Sequence, residues 1–422
     1  MIRFLIKGLL RDRSRSLFPL LTVAIGVSLT VLLDAYIRGA ADGMLQATAA
    51  FVSGHVRVAT RAHSREGANA SNELALAGAD GLLAELRRDY PGVTWTPRIR
   101  FGGLVDVPDS AGLTRAQSPG AGLAVDLSAA GPERKLLKLE QALVRGQLPE
   151  SPDELLISDE FARRLGVSIG DRLTLVSSTM HGSMAVANFT VAGTVRFGVT
   201  AMDRGMLLAD IRGIRRALDM EDAADEILGF QPRGQYDEPA AMCLCSAFNA
   251  RHEDEDDFAP KMEPLRTASG LGALIDVMNA ATALFSTVFI VAMAVVLWNA
   301  GLMGSLRRYG EIGIRLAIGE SKAKVYTALL VEAFVVGLVG SALGTLLGLG
   351  MGLYLQEVGI NIGGMMRDAT MVMDDVIRAR IAPATFIVGF LPGLLATFFG
   401  AAISGLGVFK RQTAALAKEF SG

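Results

Sequence analysis

The side chains able to do metal, thiol or acid–base chemistry are few in this chain, and they are scattered. Cys243 and Cys245 stand one residue apart. Residues two apart on a strand point to opposite faces, so a bridge between them would be tight. The pair reads as inert, with redox or metal roles as the alternatives. The run RHEDEDDF, Arg251–Phe258, sets a histidine beside carboxylates. It lacks the glycine and the alternating ligand spacing of a calcium loop, which leaves a solvated loop as the reading. His55, His63 and His181 are isolated, and none is assigned to catalysis. No HExxH, GxSxG or CxxC occurs, so neither catalytic nor metal residues are expected. No GxxxxGK[ST] occurs either. The chain therefore binds no cofactor by that route, and any ATP that drives it must sit on another chain.

The densest chemistry lies in RRYGEIGIRLAIGESKAK, Arg307–Lys324. Five basic residues (Arg307, Arg308, Arg315, Lys322, Lys324) crowd between two long apolar runs. Ile312, Ile314, Leu316 and Ile318 alternate with other residues, the pattern of a half-buried strand. Further on, Gly340, Gly344, Gly348 and Gly352 recur every fourth residue. On a helix they form one smooth stripe against which another helix can pack, within a bundle or across a dimer. A groove lining a substrate path is the alternative. Glu332 stands just before that uncharged run, where a carboxylate at membrane depth requires a partner and one at headgroup level does not.

These residues must be positioned by membrane helices. The 422 residues are 51% hydrophobic with a mean hydropathy of +0.38, yet 20% are charged. That balance describes several spans plus a sizeable water-exposed domain. A net charge of −2 gives no argument for nucleic acid. Four uncharged apolar runs meet the length a bilayer demands: Leu17–Leu33, Val277–Leu306, Ala333–Gln356 and Ile381–Phe409. Asp34, Ala35 and Tyr36 follow the first run with no small-x-small cleavage site, so it reads as an uncleaved anchor. The second and fourth runs exceed the bilayer and must tilt or project into water. Gly389, Pro392 and Gly393 make a kink plausible in the fourth.

Basic residues set the orientation. Arg3, Lys7, Arg11, Arg13 and Arg15, the five in the Arg307–Lys324 segment, and Lys410, Arg411 and Lys418 fall on one side under a four-span topology. That side is cytoplasmic by the rule. The expected order is a cytoplasmic segment 1–16, span 17–40, an extracytoplasmic domain 41–274, span 275–306, a cytoplasmic segment 307–324, span 325–356, an external loop 357–380, span 381–409 and a cytoplasmic tail 410–422.

The inserted domain has the pattern of a folded α/β unit. HVRVAT (His55–Thr60) reads as a strand. Gly78–Gly92 reads as a helix capped by Asp80 and stopped by Pro91–Gly92. Thr94–Val107 reads as a strand pair. Asp153–Ser177 reads as strand, helix, turn, strand, with Asp159 as cap and Gly166 as stop. Asn188–Val195 is a further strand, and Arg212–Leu218 a short helix.

One span, a large domain and then three spans resembles the FtsX-like permeases of ABC transporters, and within them the MacB-like and lipoprotein-releasing (LolC/LolE-type) branches. Arg308, Glu311, Ile312, Gly313, Arg315, Ala317 and Gly319 match the family pattern around R..EIG..RA.G, and Glu332 matches the acidic residue of the LLEA element that opens the third span. DELLISDEFARRLGVSIGDRLTLVS followed by NFTVAGTV is similar to the external-domain pattern. RGAADGMLQ with VSGHVRV resembles the start of that domain in the lipoprotein-releasing branch, whereas EIGIRLAIG is closer to the MacB-like branch.

The resemblance implies a membrane protein of α+β class, with four transmembrane helices and a MacB-like periplasmic domain inserted between the first and second. It implies an inner-membrane location. It also implies that Arg307–Lys324 is a short coupling helix resting on a separate ABC ATPase dimer that carries ATP and magnesium; this reading, with the membrane context, overrules the strand pattern. Arg308, Glu311, Gly313, Arg315 and Gly319 become the docking candidates. A second permease chain, identical or homologous, completes the assembly, and a periplasmic adaptor or lipoprotein carrier is a further partner. ATP-driven movement of the long helices would then extract or export an amphiphile: a lipoprotein, lipid, peptide or drug. The alternative is a transducer that activates an outer partner, such as a cell-wall hydrolase, without transport. The size of the inserted domain favours the first. An intramembrane enzyme is disfavoured, because no nucleophile–base or metal pair lies in the spans.

Overall fold

The computed structural model describes residues 13–67, 70–109, 112–197, 200–234, 236–253, 256–268, 270, 272–306, 309–361 and 376–406. The chain divides into a helical unit and an α/β unit, the latter built mainly from Gly43–Val277.

Among the described residues, four helices are long and apolar enough to cross a membrane. The first is Arg13–Thr48, which runs well past its apolar stretch and ends in a π-turn at Ala49–Ser53. The second is Gly272–Leu306, the third Lys322–Val358 and the fourth Thr385–Gly405. In lipid every backbone group must be satisfied within the segment, which is why these runs are helical. The third ends at Gly359, whose φ of +72 admits glycine readily while its N–H caps the Leu355 carbonyl at 3.0 Å.

The α/β unit is built on a ten-stranded sheet. Its strands are β1 (Val56–Thr60), β2 (Leu76–Ala77), β3 (Thr94–Pro108), β4 (Thr114–Val125), β5 (Leu143–Gly146), β6 (Glu154–Ser158), β7 (Arg172–Ser178), β8 (Met184–Val195), β9 (Met206–Asp210), β10 (Ala223–Ala224), β11 (Glu226–Phe230) and β12 (Pro260–Pro264). The order is β12-β1-β11-β3-β4-β9-β6-β8-β5, with β7 pairing β3 and β8, while β2 and β10 form a separate pair. β4–β9 and β6–β8 are parallel, and the remaining pairs are antiparallel. Its larger apolar clusters lie around Phe161 and Ile157, around Trp95 and Phe248, and around Leu127 and Leu156.

Several local expectations change in the fold. Thr94–Val107 is one strand, not two. Gly102 and Gly103 sit inside β3 rather than at a turn, because a Cβ on Gly103 would collide with the Val176 carbonyl of β7. The helix Ala79–Asp89 is preceded by Gly78, not capped by Asp80; the Asp80 N–H is instead taken by Asp222 Oδ1 at 2.8 Å. Ser158, not Asp159, caps the helix Asp159–Leu165, accepting from the Phe161 N–H at 3.1 Å, and Gly166 ends it in the left-handed region as expected. Asp159 is left free to bind Arg145 at 2.7 Å and Arg163 at 3.0 Å. Cys243 and Cys245 lie on the helix Glu238–Asn249 rather than on a strand, unbridged, one exposed and one buried. Burial pushes the Cys245 thiol up to about 12, the behaviour of an inert thiol.

A fully buried ion pair sits inside the sheet unit. Arg98 and Glu133 are both 0% exposed, joined by hydrogen bonds of 2.8 and 2.9 Å, with the Thr96 hydroxyl donating to the same carboxylate at 2.9 Å. Leaving one member of such a pair alone costs about 3–5 kcal/mol. Glu133→Leu is therefore expected to destabilise the α/β unit by about that amount. Trp95 fluorescence during urea unfolding, in a Trp298→Phe background, measures it; an unchanged midpoint would show that the pair contributes nothing.

Candidate functional site

The segment between the second and third spans folds as the helix Tyr309–Ala317. Arg308 lies outside the described residues, as does the side chain of Glu311. Gly313 is buried. Arg315 is exposed, its Nε 3.8 Å from Glu320 Oε2. Gly319 has a structural part: with φ +97 it donates its N–H to the Leu316 carbonyl at 3.1 Å, while Glu320 donates to Arg315 at 3.0 Å. Those two bonds are the Schellman ending of a helix, for which glycine is the natural residue.

The helix also resolves the strand-like alternation. Ile314 and Ile318 are one turn apart and share a face, while Leu316 is about 200° away from each. Leu316 is half-buried and, with Leu329, packs against Val325. Ile314 is 56% exposed and Ile318 81%. A period-2 pattern wound into a helix thus yields two apolar faces, one used within the chain and one open. In the sequence these two isoleucines carry only the strand-like alternation; the docking candidates there are Arg308, Glu311, Gly313, Arg315 and Gly319.

The glycine stripe lies against the first span. A Cβ on Gly340 would meet Val23 at 2.9 Å, one on Gly344 the Ala24 carbonyl at 2.5 Å, and one on Gly348 the Ser28 carbonyl at 2.8 Å. Gly352 has more room, its nearest neighbour being Ile381 at 3.5 Å. The first three let two backbones touch. From the fourth span, Gly389 and Gly393 come equally close to Val31 and Val27. Glu332 is half-buried on the third helix.

Asp34, which ends the first apolar run, was treated in the sequence only as a mark against signal-peptide cleavage. In the fold it is 3% exposed and accepts hydrogen bonds from three directions. Arg38 Nε donates at 2.9 Å from the next turn, the Thr385 hydroxyl at 2.9 Å from the first turn of the fourth span, and the Ser286 hydroxyl at 3.3 Å from the second span. Two turns beyond Asp34, Asp42 pairs with Arg380, whose N–H bonds the Ala35 carbonyl at 2.8 Å. A carboxylate at the start of a helix also meets its positive dipole end. The knot joins three spans through one side chain. The signal available in the sequence was a lone acid directly after an uncharged run.

Metal-ligand chemistry finds no site: among the described residues no group of three or more His, Cys, Asp or Glu is placed to hold an ion. His55 is buried, its Nδ1 accepts the Gln231 N–H at 3.0 Å, and burial lowers its pKa to about 4, so it is a neutral core residue.

Gly344→Leu is expected to prevent the first and third spans from meeting, with loss of monodisperse protein in detergent. Asp34→Leu removes two interhelical hydrogen bonds worth about 0.6 kcal/mol each in a membrane, so a drop in melting temperature of only a few degrees is expected, with the fold kept. Size-exclusion profiles after graded heating distinguish the two; a tolerated Gly344→Leu would show that the stripe is not a packing face.

Residues 16–230, just over half the chain, match the MacB-like periplasmic core domain family, and residues 283–413 match the FtsX-like permease C-terminal family. The macrolide export ATP-binding/permease protein MacB of Acinetobacter baylyi is 24% identical over 159 residues, 37% of this chain and 23% of that protein. The alignment thus spans under a quarter of that relative's length. The lipoprotein-releasing system transmembrane protein LolC of Haemophilus influenzae is 23% identical over 297 residues, 68% of this chain and 70% of that one. Among solved structures, the periplasmic region of MacB from Actinobacillus actinomycetemcomitans aligns with a TM-score of 0.36 at 10% identity, over 53% of this chain and 94% of that one. With its α/β insertion matched by one family and its later spans by the other, the chain belongs to the FtsX-like, MacB-like permeases of ABC transporters.

Proposed function

We propose that this chain is the permease subunit of an inner-membrane ABC transporter that moves or extracts an amphiphile at the outer face, driven by ATP hydrolysis on a separate chain. The observation that carries the reading is the helix Tyr309–Ala317 between two spans, anchored through Leu316 and presenting Ile314 and Ile318 outward. Two exposed isoleucines beside Arg315 suit a groove on a partner with an apolar floor and an acidic rim. Both termini lie in the cytoplasm with this helix, and the α/β unit lies outside. Two permease chains pair with two ATPase chains, and a carrier or adaptor outside the membrane receives the substrate. The likeness to the LolC protein, which extends over two thirds of both chains, supports a lipoprotein-like substrate over a small drug.

Replacing both isoleucines, Ile314→Asp with Ile318→Asp, is expected to weaken capture of the partner ABC ATPase at least about tenfold, the scale of losing an apolar anchor. The permease should still fold, as its melting temperature will report. Unchanged capture would sink the docking role. Orientation has an independent test in the exposed Cys243. A membrane-impermeant maleimide should label it in intact spheroplasts, with Cys243→Ser as control, and labelling only after lysis would reverse the topology.

A further inference from the structure

Within the α/β unit, the turn that follows the first long helix is held by buried charge. The π-turn Ala49–Ser53 closes on Gly54, whose N–H bonds the Ala49 carbonyl at 2.8 Å, and β1 begins two residues later. Arg100 of β3 reaches this turn: its guanidinium donates to the Val52 carbonyl and, at 3.0 and 3.1 Å, to Glu226 Oε1 on β11. Glu226 is fully buried, and its other oxygen stands 3.9 Å from Arg57 of β1. Arg57 in turn holds Glu263 of β12 at 3.1 Å, which Lys261 also binds at 2.8 Å. His63, on the helix Arg61–Glu66, is buried beside this group.

Asp225 adds one more acid to the site. It is 2% exposed and directly precedes Glu226. One carboxylate oxygen accepts the Arg100 backbone N–H at 2.6 Å; the other is buried with no hydrogen-bond partner. Arg100's guanidinium is already committed to Glu226 and Val52. A buried carboxyl with one orphaned oxygen, next to a second buried carboxylate, has the geometry of an acid that holds its proton.

We propose that this network is a proton-controlled clamp on the turn between the first long helix and the sheet. With Asp225 protonated, Arg100 is left to bind Glu226 and the Val52 carbonyl together. When the proton leaves, the new charge competes for Arg100, and the Val52 carbonyl is released. The chemical signal is the acidity of the compartment the unit faces. Burial, with Glu226 adding to it, raises the Asp225 pKa from 3.8 to about 7, against the opposing hydrogen bond and charge of Arg100. The sign follows from linkage: the folded state binds this proton more tightly, so its stabilisation is full below about 3.8 and is lost as pH rises through about 7. His63 moves the other way, its pKa lowered chiefly by burial, so it stays neutral at and above neutral pH.

The test is hydrogen exchange of the full chain in lipid nanodiscs between pH 5.5 and 8.5, corrected for intrinsic exchange. The amides of Gly54 and His55, bonded to Ala49 and Gly229, report the clamp. Their protection should fall about tenfold as pH passes neutrality, the local opening of one tie rather than of the unit. Asp225→Asn should hold the low-pH protection throughout, and His63→Gln should leave the pH response intact. An Asp225→Asn variant that responds as the wild type does, or a wild type with no response, would overturn the proposal. Should Asp225→Asn not fold, infrared spectra of the wild type decide: a protonated-carboxyl stretch present at pH 6 and gone at pH 8.5 supports it, and the absence of that band refutes it.

Discussion

A polar group carried into lipid finds no water, so its partner must come from the protein. Asp34 is where that constraint bears on the helical unit. Its carboxylate stands at the end of the first apolar run and is answered by Arg38 on its own helix, by Ser286 on the second span and by Thr385 on the fourth. Meeting the constraint fixes how the first helix is turned. The side that carries Asp34 faces the second and fourth spans, and the side that carries Ala24 and Ser28 meets the glycines of the third. Each interhelical hydrogen bond contributes little energy. Its value is in register, because slipping one helix by a single residue would part the carboxylate from Ser286 and Thr385.

Glycine supplies the complementary half of that arrangement. Without a hydrophobic drive between helices in lipid, attraction comes from close van der Waals contact. Gly340, Gly344 and Gly348 let the third helix touch the backbone of the first. The second span is packed quite differently: most of its surface is exposed, including Phe285, Val288, Val291 and Val295. It touches its neighbours at few points, among them Leu297 against Val23 and Val27.

The α/β unit follows other rules. Its core is apolar and dense, yet Arg57, Arg98, Glu133, Asp225 and Glu226 are buried within it. Buried ion pairs seldom add net stability over apolar residues of the same shape, but they do penalise every arrangement in which they part. The Arg98–Glu133 pair fixes how the segment after β4 lies on β3. The group around Arg100 and Glu226 does the same for the turn that enters β1. Charge here specifies geometry more than it stabilises, and at Asp225 it makes that geometry depend on a proton.

The sequence by itself determined the spans, because the length and apolarity of a run are local properties that the bilayer reads directly. It also determined the glycine stripe, the order of units and most strands, since period and turn chemistry are local too. It misjudged Thr94–Pro108, where a Gly–Gly pair that resembles a turn serves a close approach by β7. It read the caps at Asp80 and Asp159 one or two residues out of place. The alternation at Ile314, Leu316 and Ile318 fits a strand and a two-faced helix equally well, and local pattern could not choose. What only the tertiary structure decided were the partners of buried charge. Thr385 is 351 positions from Asp34, and Asp225 is 125 from Arg100. A hydrogen bond in a dry site acts over about 3 Å of space, whatever the separation along the chain, and folding alone sets that distance.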